Sequence, residues 1–136
     1  MNEIADTSLQ ANSAPNEAPE TISVVIPAFN EEESIRPLYD KLKASLDSLG
    51  ARAEIIFIDD GSTDNTIAQI KALPGVPYPV TCIEMRRNFG KSIALSAGFD
   101  ACEGDIVITM DADLQDDPAE IPNLVAKINE GFDLVS

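Results

Sequence analysis

The stretch "DIVITMDADLQDDPAEIPNLVAKINEG", Asp105 to Gly131, decides the fold. Its first six residues, 105–110, form an apolar, β-branched run that reads as a buried strand. From 118 onward the sequence reads as a helix, with Pro118 at its start and Gly131 closing it. Between them stand Asp111, Asp113, Asp116 and Asp117, like charges that repel unless something gathers them.

Upstream, strand and helix signals alternate in the same manner. "TISVVIP" (21–27), "AEIIFID" (53–59) and "VTCIEM" (80–85) are strand-like runs. In the helical stretch 34–49, Ile35, Leu38, Leu42, Leu46 and Leu49 share one face. Ser34 stands at its cap, Pro37 falls in its first turn and Gly50 stops it. "NTIAQIKAL" (65–73) predicts a short helix, and "KSIALSAGFDAC" (91–102) one of small residues suited to close packing. "FDLVS" (132–136) begins a fifth strand, which points to the front part of a longer protein. The expectation is an α/β fold: an open, mainly parallel sheet with helices on both faces. Residues 1–20 show neither period and read as a disordered acidic leader, leaving 21–136 as one incomplete domain.

The 136 residues carry 24 acids against 9 bases, a net charge of −15. Four acids and no base lie in the first twenty residues, so −15 − (−4) = −11 belongs to the rest. Such a balance excludes a nucleic-acid partner, which needs clustered Lys and Arg. Histidine is absent, which removes Ser-His-Asp and Cys-His chemistry and disfavours zinc. Cys82 and Cys102 lie in different predicted elements, as reduced thiols of a cytosolic protein would. No apolar run approaches the ~20 residues of a membrane span.

Ligands of parallel sheets bind outside the carboxyl ends of the strands. Each predicted strand runs into polar residues there: "PAFNEEE" (27–33), "DDGSTD" (59–64), "RRNFGKS" (86–92) and "DADLQDD" (111–117). In extended chain Asp111, Asp113 and Gln115 point the same way, with Leu114 turned inward. Two carboxylates and an amide oxygen suit Mg²⁺ or Mn²⁺ carrying a diphosphate. The alternative is a solvated acidic loop, and Asp116 and Asp117 read as caps for the next helix. At the second strand, a carboxylate on the exposed end can accept N–H groups of a nucleobase, while Ser62, Thr63 or Asp64 caps a helix. "PAFNEEE" reads either as a turn and an acid-rich helix entry or as a loop with Phe29 beside a base. "RRNFGKS" reads either as a solvated loop or as Lys91 and a helix start facing a phosphate.

In this order the four motifs resemble the inverting family 2 glycosyltransferases of the GT-A fold, most of all the dolichol-phosphate mannose synthase and bacterial polyprenyl-phosphate glycosyltransferase branch. The resemblance runs from about residue 21 to 136 through "VVIPAFNE", "IFIDDGSTD", "RRNFGKS" and "MDADLQDDP". It implies a UDP- or GDP-linked sugar donor, with Pro27, Phe29, Glu31, Ile58 and Asp60 lining the nucleoside. It puts Asp111, Ala112, Asp113 and Gln115 at the sugar diphosphate, and Asp111, Asp113 and Gln115 on the cation. It further implies inverting displacement onto a polyprenyl or dolichyl phosphate, at the cytoplasmic face of a membrane reached through regions outside this chain. No catalytic base is identified. The other readings are a nucleotide-sugar-binding fragment without activity and a receiver-type signalling domain. The receiver reading wants its acid pair after the first strand, whereas Asp59 and Asp60 follow the second.

Overall fold

A computed structural model describes residues 21–114 and 117–129. Its strands are β1 (Thr21–Ala28), β2 (Arg52–Asp59), β3 (Val80–Glu84) and β4 (Ile106–Thr109). The helices are α1 (Ile35–Leu49), α2 (Thr66–Lys71), α3 (Lys91–Ala101) and α4 (Ile121–Asn129). All strand pairs are parallel, in the order β3-β2-β1-β4. The expected leader, the Gly131 helix stop and the fifth strand lie outside the described residues.

The apolar runs are continuous because the central strands are buried on both faces. Ile22, Val24 and Ile26 of β1 pack with Ile35, Leu38, Leu42 and Leu46 of α1, Ile70 of α2 and Ile121 of α4. Val25, Ile56 and Ile58 point to the opposite face, where they meet Ala94 of α3. There α3 comes so close that a Cβ on Gly98 would stand 2.5 Å from Val25 Cγ1 and 2.7 Å from Ile58 Cδ1. Gly50 ends α1 in the left-handed region, φ 64°. Ser34 occupies the N-cap position, but its hydroxyl donates to Glu31 Oε1 at 3.3 Å rather than capping the helix. Cys82 packs against one core cluster and Cys102 against the other, on opposite sides of the sheet, and both are free thiols.

Strand order decides where a ligand can enter. β1, β2 and β3 step one way across the sheet, and the crossover through α3 returns the chain to the far side of β1. A crevice therefore opens at the switch between β1 and β4. A receiver domain, with order 2-1-3-4-5, lacks this arrangement.

Candidate nucleotide and metal site

Register brings the sequence motifs together. Ala28 pairs with Asp59 and Asp59 with Glu84, so the loops after β1, β2 and β3 leave the sheet at one level, while β4 ends at Thr109, opposite Val25. Asp60 N–H donates to the Ala28 carbonyl at 2.8 Å, and Met110 N–H to that of Val25 at 3.1 Å. In the crevice lies a cavity of about 320 Å³ lined by Pro27, Phe29, Glu31, Asp60, Asp111, Ala112 and Asp113. Asn88, Gly90 and Lys91 complete its wall. Phe29 is 44% exposed, its ring free to meet a planar ligand.

Some expected positions differ. Ile58 is fully buried in the core beneath Gly98 and does not line the cavity. Asp60 is not on an exposed strand end but 5% exposed, and its carboxylate accepts from Phe89 N–H at 2.9 Å and Gly90 N–H at 3.0 Å. Asp59 is wholly buried: one oxygen accepts from Ser62 N–H at 3.0 Å, and the other finds no partner among the described residues. After β4 the chain turns instead of staying extended. Leu114 has φ 69°, is 37% exposed, and leaves the inward position to the buried Ala112. The turn still brings Asp111 and Asp113 to one cavity; Gln115 and Asp116 lie outside the described residues. Asp117 caps the turn Pro118–Glu120, accepting from Ala119 N–H at 3.0 Å.

The loops that shape the cavity hold each other. Asn30 N–H donates to Ser62 Oγ at 2.8 Å, and Thr63 N–H returns to Asn30 Oδ1 at 2.8 Å. Glu31 N–H donates to Thr66 Oγ1 at 2.9 Å, and Asn65 N–H to Glu32 Oε1 at 2.8 Å. None of the three expected caps holds the N-cap position of α2, which is Asn65 without a side-chain cap bond; Asp64, one residue before it, accepts from Thr66 N–H at 2.9 Å. Gly61, at φ 81°, lets this loop touch the next one, since a Cβ there would collide with the Arg87 and Asn88 backbone. Sequence reading missed these cross-loop bonds and the wall residue Asn88. Both depend on which loops the sheet makes neighbours, and no local pattern announces that.

The electrostatics are anionic with one basic element. Partial burial, then the charges of Asp113, Asp64 and Asp111, raise the Glu31 carboxyl above its ordinary range, against the lowering effect of its bond with Ser34. Lys91 Nζ lies 2.6 Å from Asp111 Oδ1. Among the described residues no group of three or more His, Cys, Asp or Glu side chains could hold a metal alone. Two hard carboxylates in one anionic cavity nevertheless fit Mg²⁺ or Mn²⁺, which bind with few protein ligands and complete their sphere from phosphate and water.

A Rossmann-like sheet of GT-A type, with an acidic crevice at its switch point, is the class this architecture defines. The chain belongs to glycosyl transferase family 2, whose profile matches residues 23–136. It is 48% identical over 115 residues to an undecaprenyl-phosphate 4-deoxy-4-formamido-L-arabinose transferase of Shewanella sediminis, covering 84% of this chain and 35% of that protein. The same-named transferase of Salmonella enteritidis PT4 is 47% identical over the same shares. The chain thus spans about a third of the length of these curated relatives. Among solved structures, glucosyl-3-phosphoglycerate synthase from Mycobacterium tuberculosis, in complex with Mn²⁺, UDP and glucosyl-3-phosphoglycerate, aligns with TM-score 0.62 at 34% identity, over 80% of this chain and 39% of that one. A mannosyltransferase from Pyrobaculum calidifontis shares the fold, with TM-score 0.62 at 24% identity, over 78% and 31%.

Proposed function

We propose that the β1/β4 crevice binds the nucleoside diphosphate of a sugar donor, and that the whole protein transfers that sugar to a polyprenyl-type phosphate. One observation carries the reading: Phe29, Asp60, Lys91, Asp111 and Asp113, drawn from four separate motifs, line one cavity at the topological switch point. Phe29 offers a face for the base and Asp60 an acceptor for its N–H groups, the bonds from Phe89 and Gly90 holding that carboxylate in orientation. Asp111 and Asp113, with Gln115, would hold Mg²⁺ or Mn²⁺, and the chemistry such a cation supplies is stabilisation of charge on the leaving diphosphate. Lys91 and the start of α3, where Gly90 makes no side-chain cap bond, face the same anion.

The acceptor reading rests on the similarity to the undecaprenyl-phosphate transferases. An ionised phosphate oxygen attacks without a strong base. A lipid acceptor places the reaction at a membrane, at its cytoplasmic face where nucleotide-sugars are made. Among the described residues no helix is long and apolar enough to cross one. The test is transfer of radiolabelled sugar from UDP- and GDP-sugars by the whole protein. Label in an organic-extractable product is the expected result; label only in water-soluble sugars or protein overturns the lipid-phosphate acceptor.

A further inference from the structure

The Lys91–Asp111 pair stands where two cavities meet. Both residues line the 320 Å³ crevice, and both also line a neighbouring cavity of about 610 Å³ bordered by Leu95, Thr109, Leu124 and Lys127. At 2.6 Å the ammonium occupies one of the two Asp111 carboxylate oxygens open to an incoming cation. The pair is open to water, with side-chain exposures of 60% and 34%, so it is not locked. An exposed pair of this kind contributes little stability and exchanges readily.

We infer that Lys91 is an exchangeable counter-ion of Asp111, which makes cation and nucleotide binding mutually dependent. Before a nucleotide arrives, the ammonium neutralises Asp111 and competes with the divalent ion. A diphosphate offers Lys91 another anionic partner in the same cavity, and the lysine then releases Asp111 to the cation. Each ligand therefore tightens the other by the same factor. The inference rests on the nucleotide reading of the crevice and concerns how that site is regulated.

The experiment measures Mn²⁺ affinity of the 136-residue chain by calorimetry, with and without saturating UDP, for the wild type, Lys91→Met and Lys91→Arg. Circular dichroism verifies that each folds. Without UDP, Lys91→Met should bind Mn²⁺ about threefold to tenfold more tightly than the wild type, since one competing charge is gone. Its gain in Mn²⁺ affinity on adding UDP should shrink correspondingly, while Lys91→Arg keeps the wild-type pattern. Unchanged or weaker Mn²⁺ binding by Lys91→Met alone, with UDP coupling intact, overturns the exchange and leaves the nucleotide site standing. No Mn²⁺ binding by any form, even with UDP, overturns both.

Discussion

The backbone amides of Phe89 and Gly90 donate to Asp60 from the loop after β3, so this side chain ties two rim loops together while lining the crevice. Its neighbour Asp59 is wholly buried and holds only its own turn, through Ser62. Asp60→Ala leaves two amides without their charged acceptor, and hydrogen bonds to charged groups contribute about 1.5–3 kcal/mol each. Because water reaches the half-buried Phe89 and Gly90, the net loss in unfolding free energy should fall near the lower end of that range. Urea denaturation measures it, and an unchanged midpoint would show that the bonds do not hold the loop. The strand end made a binding carboxylate legible there, and the family resemblance, not the pattern, picked Asp60 over Asp59. The second duty of Asp60 was not legible, because the donors lie some 30 positions away, brought near only by the sheet. Ile58, placed at the nucleoside by the resemblance alone, is instead buried against α3 and does not line the cavity.

Among the helices, α3 positions the basic side of the site. Lys91 is its first residue, and the helix reaches the sheet closely because Gly98 and Ala94 face it. Gly98→Ala gains about 1 kcal/mol of helix propensity but drives a methyl into two buried branched side chains, an overlap that typically costs ~1–3 kcal/mol. With Val25 Cγ1 at 2.5 Å and Ile58 Cδ1 at 2.7 Å, overlap should win, and the thermal midpoint should fall. A raised midpoint would mean that α3 is not seated as described. The small residues of α3 made its close approach readable in advance. The turn after β4 was not, because a period-two pattern says nothing about where a strand ends. The strand ends at Thr109, and in the turn that follows Leu114 is left-handed and exposed while Ala112 is buried.

Across the sheet and its loops together, alternating strands and helices were enough to anticipate a parallel sheet with polar loops at one edge. The order β3-β2-β1-β4 was beyond the pattern, since alternation is shared by every doubly wound fold, receiver domains included. That order turns four polar loops into one crevice, where Glu31, Asp60, Asp111 and Asp113 meet. If Asp111 and Asp113 hold a divalent cation for the diphosphate, nucleotide binding must depend on that cation. Calorimetric titration of UDP and GDP into the chain, with Mn²⁺ and with chelator, measures this dependence when repeated on the Asp111→Asn, Asp113→Asn double variant. Mn²⁺ should tighten wild-type binding of one nucleotide by roughly tenfold or more, about 1.4 kcal/mol, and the double variant should lose this gain. An equal Mn²⁺ gain in the double variant would show that these two carboxylates do not carry the metal.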